Sequence, residues 1–463
     1  MHWHVFTRDL VGVHVWRQTQ TQTVIDNFYK EDNNIMNPKC HENPETDRVM
    51  RMEFPVMQWL FAQVYRVLGP HIAISRVLSF IIGMGSVFGI FFLLLSIFRN
   101  KTLAVIGAWC FNFSPAFYYY TINPLPDNFA LAAAIWSLVF LFRWISNPRW
   151  QNLLFSAVFL SLATLAKLPF IIYGSVIAAY LGVELKNNLR FGLKKTMQAS
   201  LIYLLVMAPA LAWYVWVIPT WGGNGVVKGM IDLRNNSGEL LDILQANLVS
   251  TLPELLLNYA SVPFFIAGFY FAYRFRRTHS KRFPLFLFWG AAILLYFVFE
   301  LNMIAKVHDY YLFPFLPILF LIVAYGAWHL LNRKEKFFRY AVIVLLLLAP
   351  ITAYLRANPR WNTVSPGFNV DFYNNKEVLR NLVPQNERVI VGFDKSHFIL
   401  LYYIDKKGWA FDEGFNIPQF EYQISQGAHY LYTDTPIDTM PQVQQHLDSK
   451  IYDQDRLRVY RLK

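Results

Sequence analysis

Long apolar runs alternate with short polar segments through the middle of the chain. They cover residues 71–98, 102–122, 129–145, 153–184, 199–218, 252–273, 284–301, 311–331 and 339–356. A helix needs about 20 residues to cross ~30 Å of hydrocarbon, so run 153–184 is too long for one span. Because Lys167, Pro169 and Gly174 interrupt it, we expect two shorter helices that meet near Lys167. The pattern predicts a mainly α-helical polytopic membrane bundle of about ten spans.

The segments that flank this bundle differ from it. Residues 1–55 are polar and irregular, and residues 56–68 are amphipathic, which predicts an interfacial helix. Strand character appears near the C-terminus, in RVIVGF (388–393), GWAF (408–411), HYLYT (429–433) and RLRVYRLK (456–463). We therefore expect a first loop with an interfacial helix at 1–70, a transmembrane domain at 71–356 and an α/β domain at 357–463.

Basic residues predict the orientation of the bundle. Lys and Arg gather in alternate loops, at 99–101, 143–149, 186–195, 274–282 and 333–339. The positive-inside rule makes these loops cytoplasmic. Both flanking domains then lie on the periplasmic or extracytoplasmic side of a cytoplasmic (inner) membrane. The same alternation predicts one more helix before residue 1, so the first span is expected to be missing from this sequence.

Composition agrees with a membrane protein. The chain has 463 residues, of which 55% are hydrophobic and 16% charged, whereas soluble domains are about 25% charged. The net charge of +12 could indicate nucleic acid. The cations instead form short clusters between apolar runs, so no nucleic-acid partner is expected. The glycine-rich stretch at 221–236 lacks the GKS/T of a P-loop and is interpreted as a mobile lid.

Unusual polar residues gather at the predicted outer face, first in the N-terminal segment. Arg17 lies among hydroxyl and amide side chains, after Asp9 and His14. A guanidinium matches phosphate oxygens bidentately, and an ordinary polar loop is an equal alternative. Glu53 follows Arg51 just before the interfacial helix. It could be a general base, but an acid that neutralises nearby arginines is the simpler interpretation.

Further candidates lie at the ends of the spans. Asp127 in NPLPDN either caps the next helix or faces a cavity. Lys167, inside an apolar run, is a functional candidate or snorkels to the interface. His308, Asp309 and Tyr310 could bind a sugar or diphosphate, and the tyrosine could instead belong to an aromatic belt. Together these residues predict a water-filled cleft open to the outside.

Five motifs resemble, in this order, bacterial members of the GT-C glycosyltransferase superfamily. They are HVWRQTQTQTVIDNFY, RMEFPVMQWLFAQVYRVLG, SRVLSF, NPLPDNFAL and HDYYLFPFLP. The sequence is most similar to the group of protein O-mannosyltransferases, RgtA/B/C/D-like enzymes and the aminoarabinose–lipid A transferase, over most of residues 9–330. The resemblance implies an inverting transfer from a polyprenyl-phosphate sugar donor to a lipid, glycan or protein acceptor at the outer face.

The resemblance also implies roles for the acids. Asp127 matches the second-loop aspartate of the family, and Glu53 matches the acid before the interfacial helix. The family's catalytic base lies in the first outer loop. Here Glu53, Asp9 and Asp26 are the alternatives, in that order of preference.

The cations carry over less directly. Where the aminoarabinose enzyme has a lysine after its acid, this chain has Phe54, which leaves Arg17, Arg51 and Lys167 to hold phosphate. His14 could assist them, or it could only anchor the loop. The resemblance places His308, Asp309 and Tyr310 in the lining of the site. A divalent metal is possible, but the sequence shows no clear ligand set.

A transporter or flippase of a polar or lipid-linked substrate is the alternative function. It would be expected to show internal repeats and polar residues at the membrane midplane. A non-catalytic envelope scaffold is a third possibility, and it would not need acids and cations grouped at one face. That grouping, together with the α/β domain, favours an enzyme.

Overall fold

The computed structural model describes residues 2–44, 47–187, 189–221, 237–276, 283–306, 308–362, 369–411 and 414–463. Two compact units divide the chain. The first, unit 1, consists of Met1–Phe6, Met52–Met57 and Ser75–Pro359. The second, unit 2, consists of Thr7–Arg51, Gln58–Ile74 and Arg360–Lys463. Most of the glycine-rich stretch, residues 222–236, lies outside the described residues.

Helices dominate the described residues. In chain order they are α1 (Val15–Lys30), α2 (Val56–Leu68), α3 (Ile72–Phe98), α4 (Lys101–Asn112), α5 (Pro115–Thr121), α6 (Pro126–Ser146), α7 (Trp150–Ala166), α8 (Gly174–Asn187), α9 (Leu189–Val217), α10 (Ser237–Ala246), α11 (Val262–Arg274), α12 (Phe283–Phe299), α13 (Leu301–Lys306), α14 (Leu316–Leu331), α15 (Lys336–Ala357), α16 (Val370–Asn381), α17 (Ile399–Ile404), α18 (Ile417–Ser425) and α19 (Pro441–Gln444). A π-helical segment, Asn247–Leu256, follows α10.

Unit 1 holds the apolar helices. Within the described residues, six helical segments are long and apolar enough to cross a membrane: Ile72–Phe98, Pro126–Ser146, Leu168–Asn187, Gly192–Trp221, Asp309–Leu331 and Lys336–Trp361. Two shorter apolar helices, α7 and α12, accompany them. The predicted division of run 153–184 is confirmed, since α7 ends at Ala166 and α8 begins at Gly174.

Burial separates the inner helices of unit 1 from the outer ones. Within the apolar stretch of Asp309–Leu331, 78% is buried, against 17% for Lys336–Trp361. Close packing of α11 on α14 contributes to this. A Cβ atom on Gly326 would lie 1.9 Å from the carbonyl oxygen of Phe264, so only glycine allows the two backbones to approach this closely. The segment that leads from His308 into α14 therefore belongs to the interior of the unit.

Unit 2 contains a five-stranded sheet with strand order β2-β1-β3-β5-β4. The strands are β1 (Arg388–Val391), β2 (Lys407–Ala410), β3 (Ala428–Thr433), β4 (Leu447–Gln454) and β5 (Leu457–Leu462). Strand β1 pairs parallel to β2 and β3, and the remaining pairs are antiparallel. The mainly α-helical fold with a C-terminal α/β domain is thus confirmed, and β4 is an additional strand. It was not predicted because most of its side chains are exposed at the edge of the sheet, so no apolar alternation marks it.

Apolar side chains cover both faces of this sheet. Val389 and Val391 point into one core, and Ile390, between them, points into the other. Successive strand residues face opposite sides, so a strand buried on both faces has a continuous apolar sequence. The first core also includes Leu10 and Val15. The N-terminal segment therefore completes the hydrophobic core of the α/β domain.

Helix α1 corrects the expectation that residues 1–55 are irregular. Its sequence is polar, yet most of its residues are buried. Threonine hydroxyls donate to carbonyl oxygens one turn earlier, as from Thr21 to Arg17 at 2.8 Å, and the Gln22 amide donates to the Tyr65 hydroxyl at 2.9 Å. Burying these groups is tolerable because they are hydrogen-bonded. Apolar periodicity could not reveal such a helix.

A glycine fixes the approach to α1. Gly12 has φ +91°, and a Cβ atom there would lie 2.0 Å from the carbonyl oxygen of Arg360. That oxygen accepts a 2.8 Å hydrogen bond from the Val13 amide. Because the two backbones touch, position 12 tolerates no side chain. This contact joins the N-terminal segment to the start of the α/β domain.

We predict that Gly12→Ala destabilises the protein more than Gly69→Ala. Gly69 also has a positive φ, +84°, but open space surrounds it. Its replacement should cost only the left-handed backbone penalty, about 1–2 kcal/mol. Gly12→Ala adds a backbone clash and should lower the midpoint of thermal unfolding clearly further. Equal midpoints for the two variants would contradict the close contact.

Candidate active site

Lys167 occupies the break between α7 and α8. Its amide closes α7 by donating to the Ala163 carbonyl at 2.9 Å, and its own backbone is extended. A 3₁₀ turn follows, with a proline in its first turn, since proline cannot continue the hydrogen-bonding pattern of α7. The side chain is only 12% exposed. It is therefore held inside unit 1 and does not extend into solvent.

A carboxylate neutralises this lysine. The Asp127 Oδ1 atom lies 3.7 Å from Lys167 Nζ, and Asp127 is buried. Asp127 is the second residue of α6, and the N-cap position belongs to Leu125. The capping interpretation is therefore wrong. The negative charge still suits the first turn of the helix, where the helix dipole is positive.

Aromatic rings and a histidine complete the group. The Lys167 ammonium lies 4.8 Å from the ring centroid of Tyr311 and 5.8 Å from that of Tyr310. The hydroxyl of Tyr310 and Nδ1 of His308 are 3.1 Å apart, and both residues are buried. Asp309 accepts a short hydrogen bond from the Tyr120 hydroxyl. Cation–π contact is worth more away from water, about 2 kcal/mol. Tyr310 thus holds the cation and is not an exposed belt residue.

The segment that carries Glu53 is tied to the same end of α7. The amide of Phe54 donates to the Leu165 carbonyl at 2.9 Å, and Trp213 Nε1 donates to the Met52 carbonyl at 3.1 Å. Phe54 packs edge-on against the Trp213 ring. Glu53 itself is buried. These bonds fix Glu53 beside the residues that precede Lys167, whereas Phe54 serves packing.

Asp9 belongs to unit 2 and lies among residues of the α/β domain. It accepts hydrogen bonds from the Tyr402 hydroxyl and the Leu10 amide. Its other oxygen lies 3.5 Å from Arg380 and 3.9 Å from Lys376. These contacts give Asp9 a structural task in unit 2. Its catalytic role stays a prediction.

The predicted cations of the N-terminal segment also lie in unit 2. Arg17 is buried and donates a short hydrogen bond to Gln20. Arg51 donates to the Asn37 side chain at 3.2 Å. His14 stands just before α1 with φ 57°. Phosphate binding by Arg17 and Arg51, and assistance by His14, stay predictions.

Two charged residues of unit 1 were not singled out from the sequence. Arg76, fully buried in α3, donates to the Ile122 carbonyl and the Asn123 side chain. Glu300, 8% exposed, follows α12 and interacts electrostatically with Lys167. Both could have been found, because an ionisable residue in or beside an apolar span is a functional candidate by default.

The cluster in unit 1 suits one kind of chemistry. A buried cation stabilises the negative charge that develops on a leaving phosphate, and a carboxylate accepts a proton from a nucleophile. Apolar helices around it could bind a lipid chain. Among the described residues, no group of three His, Cys, Asp or Glu side chains is arranged to hold a metal ion.

Comparison with known proteins fits this chemistry. The family model described as dolichyl-phosphate-mannose-protein mannosyltransferase matches residues 52–213. The structure of ArnT from Cupriavidus metallidurans is similar both in the apo state (TM-score 0.65, 12% identity) and bound to undecaprenyl phosphate (0.66, 13%), with 99% of this chain and 95% of ArnT covered in each case. The chain therefore shares the fold of ArnT along almost its whole length.

A second solved structure is similar in fold. The archaeal oligosaccharyltransferase AglB from Archaeoglobus fulgidus, in complex with an inhibitory peptide and a dolichol-phosphate, has a TM-score of 0.59 at 14% identity. The match covers 93% of this chain and 66% of AglB. No curated protein matches the chain by sequence. The segment that the family model matches, residues 52–213, contains Glu53, Asp127 and Lys167.

Asp26, the third alternative for the first-loop base, lies in α1 of unit 2 and is partly buried. Its carboxylate accepts a 2.9 Å hydrogen bond from the Gln22 amide. Burial nevertheless raises the pKa of Asp26 to about 6, from an ordinary value of 3.8. The carboxyl therefore binds its proton more tightly in the folded chain than in the unfolded chain. Between about pH 4 and 6 this group makes folding less favourable as pH rises.

We predict that Asp26→Asn stabilises the protein at pH 7.5 and not at pH 4. One pKa unit is worth ~1.4 kcal/mol, so the gain at neutral pH could reach about 3 kcal/mol. Asp32→Asn is the control, because hydrogen bonds from Asn34 and Asn37 lower the pKa of Asp32 and the sign reverses. Thermal unfolding at both pH values measures the effect. An Asp26→Asn gain that does not depend on pH would contradict the titration.

Proposed function

We propose that the chain is an inverting glycosyltransferase that moves a sugar from a polyprenyl-phosphate donor to a lipid, glycan or protein acceptor. The observation that carries the proposal is the ion pair between the partly buried Lys167 and the buried Asp127 at the helix break. It sets a cation for the phosphate beside a carboxylate for the acceptor. ArnT and AglB, whose folds are similar, were each solved with a polyprenyl phosphate, which supports this donor class.

The reaction divides between acids and cations. The acceptor hydroxyl gives its proton to a first-loop carboxylate, for which Glu53 is preferred, while its oxygen attacks the anomeric carbon. The bond between that carbon and the phosphate oxygen breaks, and its electrons leave with the polyprenyl phosphate. Asp127 orients the acceptor or the base. Lys167 stabilises the charge that the phosphate gains.

Burial makes the lysine effective. Two unit charges about 4 Å apart interact by ~4 kcal/mol at an effective dielectric constant of 20, against ~1 kcal/mol in water. The Lys167 side chain is 12% exposed, so its interaction with a phosphate should be closer to the value for the lower dielectric constant. His308, Asp309 and Tyr310 line the same place and can hydrogen-bond sugar hydroxyls. The group therefore combines charge stabilisation with recognition of a sugar.

The charge pattern supports the proposal that the site lies on the extracytoplasmic side of a cytoplasmic membrane. Asp127 lies in the first turn of α6 and Arg143 in its last turn. At 1.5 Å per residue they are about 24 Å apart along the helix axis. The positive-inside rule puts the basic loop at Arg143 in the cytoplasm, so Asp127 faces outward.

We predict that Lys167→Met lowers kcat for sugar transfer by about 10²–10³-fold, as expected when one stabilising donor is lost. Purified protein would be assayed with radiolabelled polyprenyl-phosphate sugars for transfer or hydrolysis. Asp127→Asn and Glu53→Gln should also lose activity. Lys167→Arg keeps the charge and should retain more.

Lys195→Met is a matched control. Lys195 is 14% exposed, pairs with Glu184 at 3.3 Å and also faces two aromatic rings, but in a predicted cytoplasmic segment. Its loss should leave kcat within about twofold, since no transition-state contact is removed. Full activity in Lys167→Met, Asp127→Asn and Glu53→Gln would remove the site assignment. Vectorial movement of the lipid without bond cleavage would favour the transporter.

A further inference from the structure

A fully buried arginine in an apolar helix needs a physical reason. Arg76 is the sole charged residue in the sequence of α3, and its exposed fraction is 0%. Removing a guanidinium from water costs several kcal/mol unless charge and hydrogen bonds compensate. Such residues inside membrane helices mark function more often than stability. Arg76 is the arginine of the SRVLSF motif, and the proposed reaction assigns it no role.

Arg76 caps the carbonyl end of helix α5. Its Nη1 atom donates to the Ile122 carbonyl at 3.2 Å and to Asn123 Oδ1 at 2.6 Å. Ile122 is the C-cap residue of α5 and directly follows its last residue, Thr121. Carbonyl groups at the end of a helix lack partners within the helix and carry partial negative charge, so a cation there is favourable. The guanidinium thus anchors the start of the NPLPDN loop.

That anchor extends to Asp127 through a second asparagine. The Asn123 carbonyl accepts a 3.0 Å hydrogen bond from the Asn128 side chain, which closes the loop across Asp127. Asn128 also donates to the Tyr120 carbonyl. Tyr120 in turn bonds Asp309 through its hydroxyl. Arg76 therefore supports two elements. One is the loop that presents Asp127, and the other is helix α5, whose Tyr120 hydrogen-bonds Asp309.

We infer that Arg76 is a positioning residue, which holds the NPLPDN loop so that Asp127 faces Lys167. The inference rests on the proposed glycosyltransferase function. Complete burial against the loop means that Arg76 acts through its neighbours and does not touch the substrate. The rigidity of this loop is needed because a displacement of about 1 Å at a reacting group can cost ~100-fold in rate.

The test compares Arg76→Met, Arg76→Lys and Asn123→Leu with wild type. We expect kcat to fall about 100-fold in Arg76→Met, with the KM for the donor and the affinity for undecaprenyl phosphate within about twofold of wild type. Arg76→Lys keeps the charge and a hydrogen-bond donor, so its kcat should be about tenfold higher than that of Arg76→Met. Asn123→Leu should resemble Arg76→Met, and the double variant should be no worse than either, because both break one connection.

Arg143→Met is the control. Arg143 is likewise an arginine in a long apolar helix, but it is only partly buried and lies near the Phe92 and Phe140 rings. It should keep wild-type kcat. Unchanged kcat in Arg76→Met, with active wild type, would overturn the inference alone. A parallel loss of undecaprenyl phosphate affinity would make Arg76 a phosphate ligand and also overturn it. A wild type that transfers no sugar from any polyprenyl-phosphate donor would overturn the proposed function and the inference together.

Discussion

The ion pair between Lys167 and Asp127 is the constraint on which the interior of unit 1 depends. An ammonium group can remain inside an apolar bundle only if a carboxylate and polarisable rings replace its water. Asp127 at 3.7 Å and the faces of Tyr310 and Tyr311 supply these. The break between α7 and α8, the proline-rich start of α6 and the buried entry into α14 all bring polar groups to this one place.

Two cations of unit 1 then have different proposed tasks. In the proposed reaction Lys167 contacts the leaving phosphate, whereas Arg76 is fully buried behind the loop that carries Asp127. Both cations act at places where helices end and loops begin. Apolar helices provide the low dielectric medium, and the loops provide the charges, whose interactions are strengthened by that medium.

Much of this fold could be predicted from periodicity. The apolar runs located the six long apolar segments of the described residues, but run 102–122 forms two short helices, α4 and α5. The interruption at Lys167 located the helix break, and residues 56–68 form helix α2. Four strands of the sheet were visible as buried apolar stretches. Helix α1 and strand β4 were not, because α1 is a polar helix buried through hydrogen bonds and β4 is an exposed edge. Residue types suggested Asp127, Lys167 and His308, but the importance of Arg76 depends on contacts more than forty residues away along the chain.

The most direct measurement is an experimental structure of the full chain with undecaprenyl phosphate bound. The account predicts that a phosphate oxygen lies within hydrogen-bond distance of Lys167 Nζ, about 3 Å. It also predicts that the lipid chain follows the apolar helices of unit 1 and that Asp127 stays in its present loop. A phosphate bound elsewhere, with Lys167 and Asp127 unchanged and out of reach, would contradict the central claim.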